Sequence, residues 1–260
     1  MADEFIGKGA PLDQAGFDAA QAALGGDPES LWAILAVETR GFGFLADRRQ
    51  KILFERHIFY KYTKGKFSAA NPDISSPTAG GYSGGAAEYA RLAKAIALDR
   101  DAALQSASWG LGQIMGFNAV GLNYSSAANM IATFKDGENA QLDGCARFIN
   151  ASSALKEAFV NRDWVKVAFF YNGKDYAKNK YDTKLQQHYD LYRLKGVPDI
   201  EVRAAQARLT YLGFDPGGID GAAGKHTAMA VLAFQKTAGL PLTGDLDEAT
   251  KAALVAAAGV

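Results

Sequence analysis

From residue 12 to residue 193 the apolar positions follow mostly the three-and-four spacing of helices with one buried face. LDQAGFDAAQAALG (12–25) predicts a first helix, stopped by Gly25 and Gly26. Asp27-Pro28-Glu29-Ser30 supplies the next helix start, with Pro and Glu in the first turn, leading into SLWAILAVET (30–39). Residues 42–53 are short and mixed, with room for a small hairpin, and LFERHIFYKYTK (53–64) reads as a helix. Between Lys66 and Gly85, two prolines and four glycines mark a long loop, of a length that in a compact domain serves function or is disordered. Further helices are predicted over 86–99, 100–106, 112–120, 126–135, 137–151, 153–159, 161–170 and 178–194. One position departs from the pattern. In AILAVETRG (33–41) an apolar helical turn ends on a carboxylate, Glu38, just before a glycine-rich bend.

The pattern changes at LKGVPDI (194–200). Beyond it, two Gly-rich turns with Asp are each followed by Thr and a short apolar helix, a degenerate internal repeat that suits a three-helix module of marginal size. The chain is therefore expected to be mainly α, with a helical domain over 1–196 that carries a small hairpin, and a three-helix module over 200–260. A length of 260 residues accommodates one medium and one small domain.

Composition narrows the function classes. Apolar residues make up 48% and charged residues 22%, the balance of a globular protein with a sizeable core. Lys+Arg and Asp+Glu are equal at 28 each, so no global field draws the chain to nucleic acid or to an anionic membrane. Cys145 is the single cysteine, which excludes an intrachain disulfide. The start, MADEFIGKGAPLDQ, lacks the basic and apolar regions of a signal peptide, and no run approaches the roughly 18 apolar residues of a membrane span. Synthesis in a cytoplasm is expected, with no membrane insertion and a monomeric chain. GGYSGG (80–85) is not followed by Lys-Ser/Thr, so it is no phosphate loop; a cleft wall presenting Tyr82 is the better reading.

The segment AQARLTYLGFDPGGIDGAAGKHTAMAVLAFQKTAGLPLTG (205–244) resembles the peptidoglycan-binding domain of bacterial and phage wall hydrolases. Leu-Gly-Phe (212–214), Ile-Asp-Gly (219–221), Thr227 and Phe234-Gln235 carry the resemblance; Thr-Gly-Asp-Leu-Asp in the second turn departs from it. Glycines there permit tight turns, while Asp220 and Thr227 can satisfy turn and helix-start amides. Asp220, Thr227 and Phe234 either build this small fold or touch the wall.

SASWGLGQIMG (106–116) and FFYNG (169–173) resemble segments of lysozyme-like folds, including goose-type lysozymes and lytic transglycosylases. VETRGFGFL, KILFERHIFYK, PTAGGYSGG, SASWGLGQIMGFN and YNGKDYAKNKYDTKL occur in the order seen in the N-acetylmuramidase family of phage endolysins, with Thr39 where Ser commonly follows the glutamate. The resemblance implies a lysozyme-like domain that cleaves the β-1,4 bond between N-acetylmuramic acid and N-acetylglucosamine, acting on bacterial peptidoglycan in the periplasm or outside the cell. Such a reaction needs a carboxylic acid still protonated near neutral pH. Glu38 beside Trp32, Ile34, Leu35 and Val37 would be desolvated, raising its pKa. A surface glutamate at a helix C-terminus would instead be disfavoured by the helix dipole. The second carboxylate is Glu55 or Asp47, although Asp47 beside Arg48 and Arg49 also reads as a solvated turn, and Glu55 as a partner of Arg56 or His57. By resemblance Ser108, Gln113, Tyr171 and Asn172 line the cleft and contact sugar; Gln113 and Asn172 could equally bond backbone inside the fold.

Other chemistries fit less well. A zinc amidase needs about three ligands, and the only histidines are His57, His188 and His226, with no HExxH, so no metal and no organic cofactor is expected. Cys145 with His188 could suggest a cysteine peptidase, but GCARF lies in a helical stretch, where a lone Cys is a small buried group. A lytic transglycosylase, which leaves 1,6-anhydro ends and needs one Glu, is the enzymatic rival. A wall-binding protein without catalysis is the alternative of a different class.

Overall fold

Most helix starts in this chain are set by short polar side chains at the first turn. In the computed structural model, which describes residues 2–39 and 41–260, Asp13 accepts the Gly16 amide at 2.8 Å ahead of α1 (Gln14–Leu24). Asp27 does the same for the Ser30 amide at 2.8 Å in the first turn of α2 (Pro28–Thr39). Leu31, Trp32, Ala33, Ile34 and Leu35 are all buried, so apolar surface runs round α2 and the helix lies inside the protein.

The elements that follow are β1 (Ile52–Phe54), α3 (Arg56–Tyr62), α4 (Glu88–Ile96), α5 (Arg100–Gln105), β2 (Ala107–Trp109), β3 (Ile114–Met115), α6 (Ala127–Phe134), α7 (Glu138–Asn150), α8 (Ser153–Val160), α9 (Trp164–Asn172) and α10 (Tyr181–Lys195). The small hairpin expected within 42–53 is present as one antiparallel bridge, Phe44 opposite Gln50, closed by the Leu45 amide on the Arg49 carbonyl and the Lys51 amide on the Gly43 carbonyl, both at 2.8 Å. A second hairpin is β2–β3, with β1 antiparallel to β2 through Ile52 opposite Trp109. Two expectations are corrected. The helix expected over 112–120 is β3 and a 3₁₀ turn, because Gly110 (φ 68°) and Gln113 (φ 48°) turn the chain left-handed between the strands. The helix expected over 53–64 starts at Arg56, since Phe54 is held in the sheet and Glu55 is its extended N-cap.

Two hydrophobic cores result. One gathers α1, α2 and α7 to α10 around Leu35, Leu142, Ile149, Phe159 and Leu185. The other gathers the sheet with α3 to α6 around Phe54, Phe59, Trp109, Met130 and Phe134. Phe148 and Tyr171 pack against both, which marks the seam between the lobes.

The C-terminal module is α11 (Ile200–Tyr211), α12 (Lys225–Ala238) and α13 (Glu248–Ala258). Its repeat has a physical basis: a glutamine on each of the first two helices reads the turn that follows. Gln206 accepts the Asp220 and Gly221 amides (3.0 and 2.8 Å) and donates to Asp220 and Thr227 (3.0 and 3.1 Å). Gln235 accepts the Gly244 amide (3.0 Å) and donates to Thr243 and Thr250 (both 2.9 Å). The module is joined to the first domain through a buried cluster of Phe42, Phe44 and Ala207, and Tyr211 donates to the Gly9 carbonyl at 2.7 Å.

Candidate active site

Glu38 ends the apolar α2 at the seam between the two lobes, partly buried. Asn172, the last residue of α9, donates from Nδ2 to Glu38 Oε1 at 2.8 Å. Burial disfavours the charged carboxylate and pushes its pKa from the ordinary 4.5 up to about 7, while the Asn172 bond pulls the other way. Glu38 can therefore hold a proton near neutral pH. The end of its helix is firmly held: Thr39 Oγ1 donates to the Leu111 carbonyl at 3.2 Å, and Lys51 Nζ donates to the Thr39 carbonyl at 2.9 Å.

A cleft of about 520 Å³ opens beside this carboxyl, walled by Lys51, Ile52 and Leu53 from the sheet side, Gly85 from the long loop, and Gln113. Gln113 spends its side chain on structure, donating to the Gly110 and Lys51 carbonyls (2.9 and 3.2 Å) and accepting from Ser108 Oγ (2.8 Å). Ser108 and Gln113 thus brace the β2–β3 hairpin, with Gln113 still on the cleft wall. Tyr171 donates to the Gly112 carbonyl at 2.7 Å and lies 3.2 Å from Cys145 Sγ. Burial pushes the Cys145 thiol up to about 12, the opposite of a thiolate nucleophile. Asn172 is the one of the four predicted sugar contacts that the fold brings directly onto Glu38.

Glu55 stands at the start of α3, its side chain 16% exposed. Tyr82 reaches it from the Gly-rich loop, its hydroxyl 3.0 Å from both carboxylate oxygens, and His57 Nδ1 lies 3.1 Å away. The loop is anchored by Arg56 Nε on the Thr78 carbonyl (2.8 Å) and by the Gly84 amide on Glu88 (2.9 Å). Tyr181, at the start of α10, has its phenol raised by burial and then by the charges of Glu38 and Glu55. Sequence reading passed over Tyr181, although it lies within YNGKDYAKNKYDTKL. Asp47 is placed differently. It closes a turn on Arg49 at 2.6 Å and is about half exposed; these contacts hold its carboxyl below the usual range.

In the module, Asp220 and Thr227 are occupied by Gln206, and Phe234 is buried edge-on against Phe214 (5.8 Å, 82°). All three have partners inside the small fold. Among the described residues no group of three or more His, Cys, Asp or Glu side chains is placed to hold a metal ion.

The model of the N-acetylmuramidase family matches residues 27–193, the span that holds Glu38, Glu55, the β2–β3 hairpin and Asn172. The chain belongs to the N-acetylmuramidase family. It is thus a glycoside hydrolase of the lysozyme type. A peptidoglycan binding domain model matches residues 199–254, so the muramidase carries a wall-binding module on its three C-terminal helices. Among solved structures, the crystal structure of Burkholderia AP3 phage endolysin is 38% identical with a TM-score of 0.65, covering 71% of this muramidase and 72% of that chain. Comparison with curated protein sequences gave no match.

Proposed function

We propose that this muramidase is an endolysin that cuts the β-1,4 bond between N-acetylmuramic acid and N-acetylglucosamine, with Glu38 as general acid. The observation that carries the reading is the protonatable Glu38 carboxyl, raised to about 7 by burial at the wall of an open cleft. Glu38 gives its proton to the glycosidic oxygen as the bond to the anomeric carbon breaks. Positive charge then spreads over that carbon and the ring oxygen. Glu55, whose charge acts on the same Tyr181 phenol as that of Glu38, is the second carboxylate, taking a proton from the attacking water or offsetting the developing charge. Asn172 orients Glu38, and Tyr82 orients Glu55.

The working division is a catalytic domain over 1–196 and a module over 200–260 that holds the enzyme on peptidoglycan and raises its local concentration there. The chain is made in the cytoplasm and acts on the wall as a monomer. Mass spectrometry of digested peptidoglycan tests the reaction. Reducing-end muramic acid is expected; 1,6-anhydro ends would make it a transglycosylase, and reducing-end glucosamine a glucosaminidase. Glu38→Gln should abolish lysis with wall binding intact, and a lytic Glu38→Gln protein overturns the assignment.

A further inference from the structure

One buried ion pair has no part in the chemistry above. Arg203, on the first helix of the wall-binding module, and Glu138, at the start of α7 in the catalytic domain, are both 0% exposed. The guanidinium forks onto the carboxylate, with Nη1 and Nη2 each 2.7 Å from an oxygen. Two charges removed from water are costly unless their remaining donors and lone pairs are met. Here they are met by backbone. Glu138 accepts the Leu12 amide at 2.9 Å and the Gly43 amide at 2.8 Å, and Arg203 Nε donates to the Gly41 carbonyl at 2.8 Å. Trp32 and Phe42 cover the guanidinium with ring centres at 5.7 and 5.5 Å.

Gly41 and Gly43 carry the chain away from Glu38. The Gly41 amide closes α2 on the Leu35 carbonyl at 3.0 Å, with φ at 79°, and its own carbonyl is the one Arg203 holds. A Cβ on Gly43 would lie 2.0 Å from Gln141 Oε1, so only glycine passes this close to α7. We propose that Arg203 is a positioning residue for the muramidase reaction: through Gly41 and Gly43 the wall-binding module fixes the end of α2, and with it the carboxyl of Glu38. The proposal rests on Glu38 being the general acid. Arg203 acts through backbone rather than charge. The groups that face Glu38 are Asn172 and Tyr171 of α9, Cys145 of α7, Tyr181 of α10, and Lys51 across the cleft.

The test uses the full chain with Arg203→Met combined with Glu138→Gln, which leaves no unpaired buried charge and keeps an acceptor for the Gly43 amide. The variant is expected to bind isolated sacculi as wild type does. Its kcat on soluble glycan strands should fall about 10²-fold, the usual cost of a misplacement of about 1 Å, with KM little changed. The alkaline limb of its kcat profile should move to lower pH, because a loosened α2 end admits water to Glu38. Arg203→Lys, which keeps the charge but loses the fork, should show the same changes in smaller measure, and it carries the test if the double variant does not fold. Wild-type kcat and an unmoved alkaline limb in either folded variant overturn the proposal, as does a loss confined to sacculus binding. A lytic Glu38→Gln protein would be a different failure, that of the acid itself.

Discussion

Replacing Glu38 by Gln interrogates the site without any substrate. The Glu38 carboxyl has an ordinary pKa of 4.5, the value expected in the unfolded chain, and burial in the cleft raises it to about 7. Between these values the folded protein holds a proton that the unfolded chain has released. Stability therefore falls as pH rises from about 4.5, and the full cost is present above about 7. The interval from 4.5 to about 7 is about 2.5 pH units, which at about 1.36 kcal/mol each corresponds to about 3 kcal/mol. Glutamine cannot ionise, yet it keeps an acceptor for Asn172. The variant should match wild type near pH 4.5 and gain up to about 3 kcal/mol at pH 8. At roughly 2–4 °C for each kcal/mol, Tm should rise by about 6–12 °C at the alkaline end. Thermal unfolding of both proteins by circular dichroism, from pH 4.5 to 9, reads this directly. A difference that is flat with pH, or largest in acid, would refute the desolvated-acid argument.

Asn172→Ala removes a hydrogen bond to the charged form of Glu38, worth about 1.5 kcal/mol or more, so the alkaline limb of kcat should move up by about one pH unit. Glu55→Gln should lower kcat about 10²-fold, the usual scale for a positioned acid–base group. Asp47→Asn should leave kcat at the wild-type value, since its carboxylate is committed to Arg49 in a turn; equal losses in the two variants would contradict the assignment. Gln206→Leu strands the Asp220 and Gly221 amides, and urea denaturation should register a loss of about 2 kcal/mol or more.

Long helices such as α1 and α7 were legible because their apolar spacing agrees with the way they are buried. The segment from Gly110 to Asn118 was not. Leu111, Ile114 and Met115 have helical spacing, yet the positive φ at Gly110 and Gln113 answers to a strand more than fifty residues away in the chain. Glu38 stood out as a carboxylate among apolar neighbours, but its catalytic reading came from the order of the motifs around it rather than from spacing. For Gln113 the two readings were both part of the answer, since a brace of the hairpin also walls the cleft. Asp220 and Thr227 were conspicuous as motif residues because a small fold spends its few polar groups on its turns, and Phe234 because it fills the module's core. Arg203 and Glu138 left no local trace, because each meets its partner 65 positions away and neither belongs to a periodic motif.

The two cores also bear on when, during synthesis, this chain becomes an enzyme. The core behind Glu38 joins residues 12–35 and Leu111 to residues 142–185, with the other lobe built from Phe5 and residues 52–134. A nascent chain that has passed α6 thus already displays Glu38, but as an ordinary wet carboxylate, ionised at neutral pH. Its partners on α9 and α10, and then Arg203, leave the ribosome later. With Glu38 as the proposed acid, products that stop before α9 are expected to be inert protein rather than loose hydrolase, a safeguard written into chain order.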